Sequence, residues 1–396
     1  MIFNIIETTM KNWMEILSNI KFSPEKIKNN LISSLVFVAL MYNLSVSWKV
    51  FSNIPLSDPS AYPAIAKASR FFYDTGVREP VQVYIVKFCM LFGLNDILSV
   101  RVATMLVVAL FGAFLFRFIY KRYGFTAAIV AGFVFAANPY LGYYSVQGVN
   151  NLTSGFFLMF FVYFLTKKNY LRRNLIYTSL FAALSMLTRL ENILIVFLIL
   201  AAFVIIHFSK TKLKFSLLVF AFAFIAALPY PLQQAYKYKS PIYSHNMAAR
   251  FWNNTEKNGS RSADRYKNGP MSISGFLFRD GASGAAMSLG RGYFESIFHY
   301  LPRILYYKTA FFLFVFGFIV TLLRKEYFLA SLLPIIIVPV VFIAGIDQIS
   351  KGSGIELRFY INVLWLLGIY AGLGVATVAK FADKKIKEFV LKKQTH

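Results

Sequence analysis

Apolar runs long enough to cross a bilayer as helices, about 20 residues each, recur through this chain and are separated by short clusters of lysine and arginine. Inside hydrocarbon every backbone N–H and C=O must be bonded within the protein, so such runs fold as helices or as a closed barrel. Continuous apolar character, rather than alternation, selects helices. The runs fall at about 31–50, 100–119, 124–142, 152–166, 174–190, 192–208, 214–232, 308–323, 327–346 and 361–379. The expected fold is an all-α polytopic membrane protein, a bundle of about ten transmembrane helices.

Charge decides orientation. The 396 residues hold 42 Lys+Arg against 17 Asp+Glu, a net charge of +25. In a soluble chain this would suggest nucleic acid. Here the bases flank apolar runs, which fits anionic lipid headgroups and cytoplasmic loops instead, so no nucleic-acid partner is expected. With the N-terminus inside, Lys121/Arg122, Lys167/Lys168/Arg172/Arg173, Lys210/Lys212/Lys214, Arg324/Lys325 and the tail from Lys380 to Lys393 all lie on the inner side. The expected location is the plasma (inner) membrane, with both termini cytoplasmic. One cysteine, Cys89, leaves no intramolecular disulfide and no cysteine-based zinc site.

Residues 1–30 read as an amphipathic interfacial helix rather than a cleaved leader, with Phe3, Ile6, Met10, Trp13, Leu17 and Ile20 at helical spacing. The polytopic domain then covers 31–396 and has two long outer segments, 51–99 and 233–306. In the first, Ser57 or Asp58 caps a helix with Pro59 at its first position, running to Asp74 and stopped by Gly76. A second helix from Pro80 places Val81, Tyr84, Ile85, Phe88 and Leu91 on one face and stops at Gly93. Both are expected to lie flat on the outer surface.

Acidic residues are scarce enough to be informative. Asp58, Arg78-Glu79, Arg189-Glu191 and Glu356-Arg358 all fall at the outer membrane face, where ionisable groups are usually paired or functional. Asp58 is either a helix cap or a chemical group, and Arg189-Glu191 either a plain ion pair or part of a site. A lipid phosphate bearing a sugar would suit the inventory. Guanidinium groups hold a phosphate through two parallel bonds. The phosphate is already a good leaving group, so one carboxylate to deprotonate the acceptor hydroxyl suffices. No Asp-x-Asp pair and no zinc spacing is present, so no cofactor is expected, although a divalent metal stays open. His245 and His299 read as solvated or packed residues of the second long segment.

The runs Asp58-x3-Tyr62, Gly76-x-Arg78-Glu79-Pro80, Phe92-Gly93 and Arg101 resemble the first outer loop of GT-C superfamily membrane glycosyltransferases. The likeness is closest to the family-39 group related to protein O-mannosyltransferases and aminoarabinose lipid A transferases. Asn138-Pro139, Thr188-Arg189-Leu190-Glu191 and Arg358-Phe359-Tyr360 extend it. The resemblance implies a polyprenyl-phosphate sugar donor and an inverting transfer to a glycan, lipid or protein hydroxyl on the outer, periplasmic face. Asp58 matches the loop acid that serves as general base, and Glu79 the second loop acid. Arg189 and Arg358, with Arg78 and Arg250, would contact the donor phosphate, and Tyr62, Arg101 and Glu191 would support them. The pattern departs at Pro59, where many relatives carry Asp-Glu. A transporter or flippase, or a polymerase of lipid-linked glycans, is the alternative; transporters tend to show inverted repeats and midplane charges, and neither is evident here.

Topology can be tested directly. In a Cys89→Ala background, Asp58→Cys should react with an impermeant maleimide from outside, and Lys168→Cys only after permeabilisation. The opposite labelling would invert the whole scheme.

Overall fold

The computed structural model describes residues 24–56, 58–167, 172–258, 271–344 and 357–394, and every regular element among them is helical. The chain opens with α1 (Pro24–Phe51). A 3-10 turn (Asp58–Ala61), α2 (Tyr62–Ala68) and α3 (Pro80–Met90) follow in the first long segment. Then come α4 (Asp96–Tyr123), α5 (Phe125–Ala136), α6 (Pro139–Val146), α7 (Asn150–Leu165), α8 (Arg172–Thr188), α9 (Asn192–Ile206) and α10 (Lys210–Ala227). The second long segment holds α11 (Pro229–Tyr238), α12 (Tyr243–Asn258), α13 (Ile273–Leu277), α14 (Gly281–Glu295), a π turn at Ser296–Tyr300 and α15 (Leu301–Leu305). The last three are α16 (Lys308–Leu323), α17 (Tyr327–Ala344) and α18 (Leu364–Gln394).

Helices stand at each of the ten expected positions, but not all have the length of a crossing. Five described helices are long and apolar enough to span, and α5 with α6, bent by 52°, makes a sixth. Of the others, α7, α9 and α16 have 16, 15 and 16 residues, just under the ~17 a crossing needs. The figure of ten crossings is therefore not fixed by helix length. Most of the expected interfacial helix, up to residue 23, lies outside the described residues, and α1 runs unbroken through residue 30.

α18 is the centre of the bundle. Leu364, Trp365, Leu366, Leu367, Ile369 and Tyr370 are fully buried, as expected of a helix apolar on all sides. Small residues let its backbone approach both neighbours. A Cβ on Gly317 of α16 would lie 1.7 Å from the Tyr370 carbonyl oxygen, and one on Gly372 of α18 would lie 2.3 Å from that of Ala127 on α5.

Buried polar side chains tie several of the helices together. Gln82 on α3 donates to Thr104 Oγ1 on α4 at 3.0 Å and accepts from Thr153 Oγ1 on α7 at 2.6 Å. Asn192 donates to Ser154 Oγ at 2.8 Å and to Ser185 Oγ at 2.9 Å, joining α9 to α7 and α8. Asn138 caps α6 by accepting from Leu141 N at 3.1 Å and donates to the Ile304 carbonyl at 2.7 Å. This explains the bend between α5 and α6. Pro139 ends the first helix and starts the second.

One expectation for the first long segment is corrected. The helix after Asp58 does not reach Asp74; it ends at Ala68, where Ser69 N and Oγ both bond the Ile65 carbonyl. The chain beyond is held by side chains instead: Asp74 pairs with Lys237 and accepts from Gln233 at 3.0 Å, both on α11. α3 is anchored to the bundle by the side that carries Gln82. Phe88 and Leu91 are 58% and 78% exposed, whereas Val83, Val86 and Cys89 are buried, because Gln82 pins that side to α4 and α7.

Gly317→Ala should destabilise the protein by roughly 1–3 kcal/mol through overpacking. Gly290→Ala on α14, where an added Cβ meets nothing within 4 Å, should be neutral or stabilise by up to about 1 kcal/mol. Thermal unfolding in detergent distinguishes the two, and equal effects would refute the close-packed seam.

Candidate active site

Three parts of the chain converge at the junction of α8 and α9. The tight turn between these helices carries Arg189 and Glu191, whose side chains pair through Arg189 Nε and are each about four-fifths buried, 17% and 18% exposed. Arg189 Nη1 donates to Asn151 Oδ1 at 2.9 Å and to Asn150 Oδ1 at 3.3 Å, at the start of α7. On the other side of Glu191, His245 Nε2 of α12 lies 3.2 Å from Oε2. α12 thus docks on the turn between α8 and α9 through an imidazole–carboxylate contact.

Glu79 precedes α3, with Pro80 at the first helical position. Burial pushes its carboxyl above the usual carboxylate value and the Glu191 charge adds to this, against the pull of Arg189 and His245. For Glu191 burial acts in the same direction, but Arg189 and the bond from His245 overcome it and hold the carboxyl well below its usual range. Burial pulls His245 down; the Glu191 carboxylate, with Glu79 behind it, more than reverses this, so the ring titrates above its ordinary value. One acid is therefore held ionised and its neighbour is pushed towards neutrality, an arrangement common where protons move.

The remaining expected residues are placed as follows. Arg358 and Arg189 both stand over the ring of Phe359, 5.2 and 5.4 Å from its centroid, so one aromatic ring connects the two guanidinium groups. Tyr360 fixes that turn: its hydroxyl is 2.7 Å from Ser296 Oγ in the π turn and its ring stacks on Tyr300. Arg78 lies over the ring of Tyr62 at 5.9 Å. Arg101 does not reach the cluster; Nη1 and Nη2 donate to the Phe51 and Ile54 carbonyls at 3.0 and 2.7 Å, pinning the end of α1. Arg250 is on α12, five residues beyond His245. The backbone at Asp58 opens the 3-10 turn. The next residue, Pro59, approaches Gly148, whose added Cβ would lie 3.4 Å from the Pro59 Cβ, and Gly148 is two residues before Asn150. Glu356 lies outside the described residues.

The sequence took His245 for a solvated or packed residue and Phe359 only for part of a motif, and it gave Asn150 and Asn151 no place in the site. A lone histidine in a polar segment gives no signal until folding brings it to Glu191. Among the described residues no three His, Cys, Asp or Glu side chains are grouped to hold a metal ion. The donors present also suit one poorly: Glu191 is already neutralised by Arg189 and His245, and Glu79 is pushed towards its neutral form.

Residues 77–231 match the family model described as dolichyl-phosphate-mannose-protein mannosyltransferase, a stretch that includes Arg78, Glu79, Arg189 and Glu191 but not Asp58 or Arg358. Two solved structures of the Archaeoglobus fulgidus oligosaccharyltransferase are similar in fold. One, in complex with Zn and sulfate, is 17% identical with a TM-score of 0.51, covering 90% of this chain and 51% of that one. The fold is that of the GT-C membrane glycosyltransferases. The other, AglB with an inhibitory peptide and a dolichol-phosphate, is 15% identical at a TM-score of 0.51, covering 91% and 52%. The chain spans about half the length of these GT-C proteins. No curated protein matches it by sequence.

The docking of α12 should depend on pH. With the His245 value raised, the contact is intact on the acid side and is lost as pH rises through that value, while Glu191 stays ionised throughout. Hydrogen-exchange protection in α12, taken relative to the intrinsic base-catalysed rate, should therefore fall as pH rises from the ordinary histidine value, about 6.5, through the raised one. His245→Gln should remove the dependence; a variant that keeps it would show that another group controls docking.

Proposed function

We propose that this protein transfers a sugar from a polyprenyl-phosphate donor to an acceptor hydroxyl at the outer face of the membrane, with inversion at the anomeric carbon. The observation that carries this reading is the pair of guanidinium groups, Arg189 and Arg358, on opposite sides of the bundle sequence yet sharing the ring of Phe359 beside an acidic cluster. The donor phosphate is a diester and carries one negative charge, which grows towards two as the sugar leaves, and its recognition through parallel N–H bonds favours arginine.

In this scheme the bonds of Arg189 to Glu191 and the two asparagines use Nε and Nη1 and fix the plane of the guanidinium. Nη2 is then directed at the donor. Arg358 approaches the same phosphate, and Arg78 and Arg250 flank it. The acceptor oxygen attacks the anomeric carbon as its proton passes to Asp58. The bond from sugar to phosphate breaks, and the phosphate leaves with the electron pair, stabilised by the arginines. Glu79, with its raised value, relays the proton or orients the acceptor. No metal takes part in this scheme. The inner (plasma) membrane, both termini cytoplasmic, is the proposed location, and a glycan, lipid or protein is the acceptor class.

Turnover with purified protein in liposomes, against a panel of labelled polyprenyl-phosphate sugars, tests the reading. Asp58→Asn should lower transfer by roughly 100- to 10,000-fold, the range for loss of a general base, with insertion unchanged. If turnover survives there and vanishes in Glu79→Gln, the base is Glu79. Binding of a polyprenyl phosphate with no transfer from any donor in the panel would favour the transporter reading.

Arg189→Lys and Arg358→Lys should each weaken donor binding by about tenfold to a hundredfold, the worth of one charged hydrogen bond. Turnover should fall further, because charge on the phosphate grows as the sugar leaves. Unchanged donor affinity in both variants would remove the phosphate assignment.

A further inference from the structure

The charged cluster occupies one end of the helix bundle, and the opposite end carries a second constellation that the transfer reaction does not use. A cavity of about 720 Å³ opens between α4, α7 and α8. From Arg173 to Arg189 the chain rises sixteen residues along α8, so this cavity is about 24 Å from the cluster at 1.5 Å per residue.

Four cations line it: Arg117 and Lys121 from the end of α4, Lys167 just beyond α7 and Arg173 in the first turn of α8. No Asp or Glu is among the lining residues. Two of the cations are held over aromatic faces. The Lys167 ammonium is 4.6 Å from the Tyr163 centroid and 4.5 Å from that of Phe164, and the Arg173 guanidinium is 5.5 Å from that of Tyr177. Such contacts fix the position of a charge without neutralising it.

Below the cations the walls are apolar and rigid. Phe164 stacks on Tyr177 at 5.1 Å and on Phe181 at 5.4 Å, and Phe160 stacks on Phe181 at 4.7 Å. Phe114 and Met159 complete the slot. Positive charge over a deep aromatic slot, at the level where the inner basic clusters begin, matches an anionic amphiphile. A soluble anion would use the cations and leave the slot empty. A neutral lipid would use the slot and leave four like charges facing each other.

We propose that this cavity binds one anionic phospholipid of the surrounding bilayer, its phosphodiester among Arg117, Lys121, Lys167 and Arg173 and one acyl chain against Phe114 and Phe160. The site is separate from the transferase cluster, so it stands or falls without regard to the reaction assigned there. Its occupancy fills the gap between α7 and α8 and stiffens the helix that ends at Arg189.

Native mass spectrometry of the purified, delipidated full-length protein tests this, with phosphatidylglycerol, phosphatidylcholine or inorganic phosphate added back. One phosphatidylglycerol should be retained, with phosphatidylcholine and phosphate unable to replace it. Arg117→Gln with Lys121→Gln should lower its affinity roughly tenfold or more, since each base near an anionic surface contributes substantially to binding. Lys380→Gln with Lys384→Gln, the same charge change on the exposed part of α18, should leave it unchanged. Should the first double variant not be recovered, Lys121→Gln and Arg173→Gln singly should each show a smaller loss. Equal retention of phosphatidylcholine, displacement by phosphate alone, or an equal effect of the Lys380/Lys384 pair would each overturn the proposal.

Discussion

The pair between Arg189 and Glu191 is the contact on which this end of the helix bundle depends. Two charges so far from water are tolerated only when paired and hydrogen-bonded on their remaining sides. Here the remaining sides belong to other segments: Asn150 and Asn151 at the start of α7, Phe359 before α18 and His245 on α12. The turn between α8 and α9 thereby sets the position of three other pieces of chain. Glu79 completes the group from the first long segment, its carboxyl raised by the burial and by the fixed negative charge of Glu191.

Around this group, polarity and packing divide the work. Asparagine, glutamine and threonine side chains are the links between helices near the charged cluster's end, at Gln82, Asn138 and Asn192. In the centre the links are glycines, which bring backbones together where no side chain fits. Packing of small residues is the general means of association where lipid offers helices no hydrophobic incentive to pair. A polar network specifies one register, because a shift by one residue would leave buried amides without partners.

The fold was largely legible because apolar length and basic flanks follow directly from the bilayer. All ten runs became helices, yet several are too short to be counted as crossings from sequence or from structure. The errors have physical causes. Asp58-Pro59 does start a helical turn, but Ser69 ends the helix early and Asp74 is spent on Lys237 rather than on helix termination. In α3 the apolar face of Phe88 and Leu91 was legible, but not that Gln82, a polar residue, anchors the other side by bonding inward. Arginines and glutamates near span ends were visible as rare charges in an apolar chain. Their partners were not, since Asn150, His245 and Phe359 are ordinary residue types whose importance arises only from long-range contact.

The burial of α18 bears on how this protein is assembled. Its apolar half is enclosed on all sides, and it follows every other described span in chain order. During synthesis the helices before it enter the bilayer while their central partner is still missing. The seam formed by Ala127 on α5 and Gly317 on α16 must then stay open, or be occupied by lipid tails, until α18 arrives and expels them. A ribosome that stalls before residue 364 leaves a set of inserted helices with a vacant middle, a form that membrane quality control can recognise by its exposed glycine and alanine surface.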